Sequence, residues 1–482
     1  MLNGEKYEAV IGLEVHTQLL TKSKLFSGDS TEFGAAPNTN ISPVSLAHPG
    51  TLPKMNKKVI EYALKLGMVL HCDIVRNNYF ARKNYFYPDL PKGYQVSQHT
   101  TPICKNGFVT IHVNSQERQI KLNRIHIEED AGKSLHDIDE NYTCIDLNRA
   151  GVPLLEIVSE PDMHSGDEAF AFLTELRKLV RYLGICDGNM EEGSMRCDAN
   201  VSVRLKGESK LGTKVEVKNL NSVRNVKKAI EYEKERLIGL CENNEEIIQE
   251  TRSFDAETGT TFSLRTKEEA NDYRYFPEPD LTPFVITDEL LESVKQAIPA
   301  LPHELELKYQ EEYGLSAYDA KALCEDRSTT GYFQDVIRHT TNYKAAANWL
   351  LGPVKSYMNE NIIEISSLPI SAKSIADLIQ LIDEGKINFS TASSKIFTAL
   401  LLQPGKEPLA VVTELNLLQE SSDDTVTLWV DTVLGKMPGK VSEYKKGKKA
   451  LLGLFAGEVK KLSKGKADMQ LVNKLLTEKL NQ

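Results

Sequence analysis

From Met195 to Arg204 polar and apolar residues alternate without a break, and this run limits the fold more than any other stretch of the chain. Side chains on a strand point to opposite faces in turn. Arg196, Asp198, Asn200, Ser202 and Arg204 therefore share one face, and Cys197, Ala199, Val201 and Val203 the other. Lys214, Glu216 and Lys218, set against Val215 and Val217, repeat the pattern. Two strands are thus expected to present one mixed-charge face and to bury the opposite one. Such a face is either an ordinary wet sheet surface or the lining of a cavity, and only the second is a chemical surface.

The same period of two governs Val10 to Gln18, where β-branched residues predict a strand. It puts Glu14 and His16 on one side, roughly 6.6 Å apart. That spacing suits two ligands of one metal ion, and equally a solvated sheet face. In Arg124 to Ser134, Ile125 and Ile127 alternate with Arg124, His126 and Glu128, and Glu129 and Asp130 fall at the strand end before Gly132. Gly132-Lys133-Ser134 looks like the end of a phosphate-binding loop, but that motif needs glycine where Ile127 stands. Three adjacent carboxylates are tolerable beside a divalent cation or in solvent. Glu156 lies inside the apolar run Leu154 to Val158, where an unpaired carboxylate is costly, so a cation, a metal or a strong donor is expected beside it.

Arg82 to Gln95 carries four aromatic rings and three cations around Pro88, Pro91 and Gly93. A loop of this kind can stack a base on Tyr85 or Tyr87 and hold phosphates with Arg82, Lys83 or Lys92, or it can be a surface loop pinned by its rings. Residues 272–280 again interleave arginine with rings. A long ordered loop is expected over 21–57, then a helix from Lys57 to Met68. A second helix is expected from Gly166 to Gly184, with Phe170, Leu173, Leu176, Leu179, Val180 and Leu183 on its apolar side.

The 482 residues exceed one ordinary core, and the pattern changes twice. The reading predicts a mixed α+β domain over 1–295, an all-α domain over 296–405 punctuated by Pro299, Pro302, Pro353 and Pro369, and a small helical, lysine-rich tail over 406–482. Seven scattered cysteines without a C-x-x-C pair argue against a disulfide framework and against zinc. No long apolar run and no leader pattern is evident, which predicts a cytoplasmic protein without membrane contact. The net charge is −10, yet from Lys436 onward twelve lysines face four acids, so the tail can bind phosphate. The Ser393-Ser394-Lys395 run reads as a helix start.

Several motifs in one order, namely VIGLEVHTQL, KNYFYPDLPKGYQVSQ, HIEEDAGKS, DLNRAGVPLLEIVSEPD, EEGSMRCDANVSVR, KVEVKNLNS, DYRYFPEPDL and YKKGKKALLG, run through essentially the whole chain. On these the sequence resembles the B-subunit family of bacterial and organellar aspartyl/glutamyl-tRNA amidotransferases. The resemblance implies an α+β cradle domain with a mixed or antiparallel sheet, a helical domain, and a YqeY-like tail. It implies ATP-dependent phosphorylation of the side-chain carboxylate of Glu-tRNA(Gln) or Asp-tRNA(Asn), followed by amidation with ammonia from a glutaminase A subunit, with a small C subunit completing a heterotrimer. By the family's pattern Glu14, His16, Glu129 and Glu156 match metal-holding positions, with Mg2+ expected and Mn2+ admissible because histidine is an unusual magnesium ligand.

Within that frame Lys83 and Arg196 are candidates for phosphate charge stabilisation, and Glu128 and Asp198 for orienting substrate or passing protons. Arg82, Tyr85, Tyr87 and Lys214 are candidates for contacting ATP, and Lys445, Lys446, Lys448, Lys449, Lys464 and Lys466 for the tRNA backbone. No amidase signature is present, so ammonia is expected from a partner. The competing reading is a non-catalytic tRNA-binding adapter of the same complex.

Overall fold

The computed structural model describes residues 6–266, 273–419, 423–463 and 466–481. The chain divides into two compact units, Met1–Pro299 and Ala300–Gln482.

Ten strands form the continuous path of a thirteen-stranded sheet in the first unit: β1 (Tyr7–Gln18), β2 (Ala81–Asn84), β3 (Tyr94–Ser97), β4 (Gln116–Glu129), β5 (Pro153–Ser159), β6 (Met195–Leu205), β7 (Val215–Lys218), β8 (Glu250–Asp255), β9 (Thr260–Thr266) and β10 (Arg274–Pro277). Their order is β9-β8-β7-β6-β1-β5-β4-β3-β2-β10, with β1 flanked by β5 and β6. Neighbours pair antiparallel except β7 and β8, which are parallel. The sheet is therefore mixed, with a single parallel pair along this path. The uninterrupted alternation of Met195 to Arg204 is β6, paired with β1 over eleven residue positions.

One face of this sheet is dry. Ala9, Ile11, Leu13 and Val15 of β1 are at most 2% exposed, as are Ile125, Ile127, Leu155, Ile157, Ala199 and Val201 on neighbouring strands. Each large aliphatic side chain in that layer contributes about 1.5–3 kcal/mol. Helices α1 (Lys57–Val69), α2 (Gly166–Tyr182) and α3 (Val223–Glu242) are packed against strands of the sheet, and α2 also against α3. Their starts follow from capping side chains: Asn56 accepts from the Lys58 N–H, Ser165 from Glu168 and Ser222 from Asn225.

The apolar stripe of α2 differs from the sequence expectation. Ala169, Phe172, Leu173, Leu176 and Val180 are buried, whereas Phe170 is exposed. A stripe through 169, 173, 176 and 180 recurs every three or four residues, and Phe170 lies about 100° around the helix from Ala169.

Within the loop over 21–56, Asp29 accepts from Ser42 N and from the hydroxyls of Ser27, Ser42 and Ser45, and Asn38 and Asn40 bind residues 145–148.

The second unit is helical throughout its regular structure among the described residues. Pro302 opens the helix Pro302–Glu311 at its first turn. Pro353 does not end a helix as its position suggested: a π-helical turn over Leu350–Val354 carries the chain from Tyr343–Trp349 into Lys355–Asn361. The wider turn absorbs the missing N–H. Ser393 to Lys395 likewise lie within a helix, in the turn Ala392–Ile396, because Asn388 caps the start four residues before Ala392. Toward the C-terminus, helices Asp423–Lys436, Pro438–Lys445, Leu451–Leu462 and Met469–Asn481 enclose a core of Val426, Val430, Phe455, Val459, Val472 and Leu476. No described helix is long and apolar enough to cross a membrane.

Candidate active site

Strand register assembles the site. His16 stands opposite Glu156 on β5 and Arg196 on β6; Glu156 in turn stands opposite His126 on β4, and Leu154 opposite Glu128. Directly opposed residues share a face. Glu14, His16, Arg196, Asp198, Glu156, His126 and Glu128 therefore occupy one side of four adjacent strands, opposite the dry layer.

At the centre, His16 Nε2 lies 3.3 Å from Glu156 Oε2 and 3.6 Å from Glu128 Oε1. His126 Nε2 stands at the same two separations from the same carboxylates. Arg124 Nε lies 3.4 Å from His126 Nδ1, so the ring's other nitrogen faces the carboxylates. Burial on its own would lower both imidazole pKa values, but Glu156 and Glu128 outweigh it and raise them. Burial would raise Glu156, but His126 and His16 hold it well below the usual carboxylate range.

One ligand atom from each of His16, Glu128 and Glu156 lies within 4.8 Å of the other two. The imidazole–carboxylate separations exceed the roughly 2.7–2.9 Å of a charge-assisted hydrogen bond, so these side chains surround a point without closing on one another. A divalent cation fits that arrangement. Two carboxylates suit a hard ion such as magnesium, and the imidazole also admits manganese.

A second polar cluster adjoins the first. Asn200 Nδ2 donates to Glu14 Oε1 at 3.0 Å, while the buried Asn200 Oδ1 has no partner. Lys218 donates to Asp198 and lies 3.5 Å from Glu216. Glu216 also accepts from Thr251 at 2.9 Å. Burial opposes the Lys218 charge, yet Asp198 and Glu216 raise its pKa. Arg196 Nη2 donates at 3.0 Å to both oxygens of Asp130, which also accepts from Gln18, so the guanidinium is braced beside His16.

Of the four metal positions implied by resemblance, the structure brings His16 and Glu156 together with Glu128. Glu14 sits one pair along β1, bonded to Asn200. Glu129 points elsewhere: Val96 N donates to its Oε1 at 3.0 Å, and Lys92 binds the same carboxylate. It lines a cavity of about 190 Å3 with Lys24, Phe26, Tyr94 and Glu278. Lys24 is 1% exposed there, and burial pushes its pKa down to about 8.

The remaining candidates separate in the same way. Arg82 is tied to Glu278 at 2.7 and 2.8 Å and to Asp280 at 3.2 Å, and lies over the Tyr94 ring. Lys83, its neighbour on β2, points to the other face over the rings of Tyr85 and Tyr273. Tyr85 is half-buried, its hydroxyl pKa raised by that burial, and Tyr87 is exposed. Lys214 is exposed just before β7. Lys445 and Lys446 are exposed, Lys448 pairs with Glu443, Lys449 lies over Tyr444, Lys466 donates to Asn416, and Lys464 lies outside the described residues. Sequence reasoning assigned no role to His126 or Lys218. Each shares an alternating face with a chosen residue, and that was the available signal.

A family model described as the GatB/GatE catalytic domain matches residues 9–292, and one described as the GatB domain matches 331–480. The chain belongs to this amidotransferase B-subunit family. Relatives named as the B subunit of aspartyl/glutamyl-tRNA(Asn/Gln) amidotransferase agree. That of Thermodesulfovibrio yellowstonii is 48% identical over 471 residues, covering 98% of both chains. That of Geotalea daltonii is 50% identical over 478 residues, covering 98% of this chain and 99% of its own. The first family model spans His16, His126, Glu128 and Glu156, the residues of the carboxylate–imidazole centre.

Proposed function

We propose that this family member is the catalytic B subunit of a tRNA-dependent amidotransferase, phosphorylating the side-chain carboxylate of Glu-tRNA(Gln), Asp-tRNA(Asn) or both with ATP, then amidating it. The observation that carries the reading is the convergence of His16, Glu128 and Glu156 on one sheet face beside the braced Arg196. Phosphoryl transfer without a phosphate-binding loop depends on charge neutralisation and positioning. Magnesium, held by His16, Glu128 and Glu156, would neutralise the phosphate oxygens when bound. Arg196 meets transferred-phosphate charge from β6.

In the first step a carboxylate oxygen of the substrate attacks the γ-phosphorus and ADP leaves. In the second, ammonia attacks the acyl carbon, the bond to the phosphate oxygen breaks, and a proton is lost from nitrogen. Asp198 and Glu216, with Lys218 between them, are the groups we assign to orienting the amine and accepting that proton. Ammonia would come from the glutaminase A subunit, with a small C subunit completing the assembly in the cytoplasm.

Further along the chain, we assign residues 296–405 to a helical domain and 406–482 to a tail that holds tRNA backbone through Lys445, Lys446, Lys448, Lys449 and Lys466. Removing those charges should flatten the salt dependence of tRNA binding by about 0.9 in slope per lost phosphate contact; an unchanged slope would count against the assignment.

The test is co-expression with the glutaminase and the small third subunit, and assay with mischarged tRNA, ATP and glutamine. His16→Ala should abolish ATP-dependent amide formation while leaving tRNA binding intact. If amide formation survives, the catalytic assignment fails and the chain is an adapter.

A further inference from the structure

The polar sheet face continues past Glu128 into a set of aromatic rings. Ser97 on β3 is opposite Glu128, and two residues away along these strands Gln95, Lys83 and Tyr275 are successive partners on β3, β2 and β10. Tyr275 is thus on the terminal strand, three strands and roughly 14 Å from β4. Its ring stacks on that of His99, with centroids 3.9 Å apart and planes 12° from parallel. Lys83 Nζ lies 5.5 Å from the centre of the Tyr85 ring and 4.8 Å from that of Tyr273, and those two rings meet edge to face. Burial raises the Tyr275 hydroxyl pKa, with Lys83 opposing and the carboxylates Glu156 and Glu128 adding to the rise, so the ring lies within electrostatic reach of the central cluster.

Two properties of this surface select a ligand. It is open: His99, Tyr87 and Tyr273 are exposed, whereas a mononucleotide site encloses most of its ligand. It is also discontinuous, with rings contributed by three separate chain segments and a cation between two of them. Spaced rings with interleaved cations suit successive unpaired bases and the phosphates that join them. An aminoacyl ester keeps its terminal base about one amino acid and one ribose away from the reacting carboxylate, a distance comparable with the three-strand span.

We propose that Tyr275, His99, Tyr273, Tyr85 and Lys83 form a stacking platform for the unpaired nucleotides at the 3′ end of tRNA, so that the attached amino acid reaches the carboxylate–imidazole centre. The proposal rests on the reading of the chain as an aminoacyl-tRNA-binding subunit, but its test requires no chemistry. In the assembled complex at fixed salt, uncharged tRNA is compared with the same tRNA lacking its unpaired 3′ nucleotides. Tyr275→Ala should weaken binding of the intact tRNA about tenfold, the worth of one stacked base. Tyr275→Phe should bind like the parent, and the trimmed tRNA should bind Tyr275→Ala and parent alike. His99→Ala carries the same comparison if Tyr275→Ala does not fold. Equilibrium affinity for ATP alone should be unchanged by either.

Equal weakening for intact and trimmed tRNA, or no weakening for either, overturns the proposal. So does a loss of ATP affinity with tRNA binding unchanged, which would assign the rings to the base of the nucleotide cofactor. A complex that shows the intact-versus-trimmed difference but makes no amide would leave the platform standing and sink the phosphorylation reading.

Discussion

Glu128 and Glu129 are consecutive on β4, and the sheet sends them to opposite environments. Glu128 joins Glu156 and two imidazoles on the polar face. Glu129 is closed off by Lys92 and the Val96 N–H beside a separate cavity that also holds the buried Lys24. On the first side, carboxylates and imidazoles stand apart around a point that a cation fits. On the second, a carboxylate has its cation already, supplied covalently by the chain. The contrast shows that a dense acidic cluster in sequence need not be one site: a strand divides neighbours, and what each meets depends on the strands beside it.

The largest expected effect falls on the first side. Glu128→Gln should lower ATP-dependent amide formation by about 10³-fold and weaken binding of magnesium or manganese, measured by product formation and by metal titration. Glu129→Gln should leave metal affinity nearly unchanged and instead destabilise the fold by about 3 kcal/mol in urea denaturation, because Lys92 keeps its charge without a partner. If both variants lose metal affinity equally, the division between the two faces is wrong.

A smaller effect sharpens the description of the cavity. Lys24 has a folded pKa of about 8 against an ordinary 10.5, so burial favours its neutral form. The penalty for burying its charge is fully present below pH 8 and fades between pH 8 and 10.5, as the folded state sheds a proton that the unfolded chain retains. Lys24→Met should therefore gain roughly 2 kcal/mol at pH 7 and little above pH 10. An equal gain at both values would show that packing, not charge, sets the change. The least costly variant, Phe170→Ala, should shift stability by about 0.5 kcal/mol, against about 3–5 for Phe172→Ala, measured by thermal melting.

Much of this could be read along the chain. Alternation alone grouped Arg196 with Asp198 and Asn200, Glu14 with His16, and Arg124 with His126 and Glu128, because successive side chains on a strand must face opposite ways. The change to helical spacing near residue 296 was equally visible. Helix edges were less so: Asn388, not Ser393, begins its helix, and a π turn accommodates Pro353, because caps and turn widths depend on backbone bonds that composition does not display.

What only the tertiary structure decided is which of those faces meet. His16, Glu128 and Glu156 belong to three strands separated by long connections, and their meeting depends on the register of β1 against β5 and of β5 against β4. A period of two is local and says which side a residue occupies. Register is set by how the buried layer of Ile11, Leu13, Ile125, Ile157 and Val201 packs, and a shift of one residue would have turned every ligand away from the others.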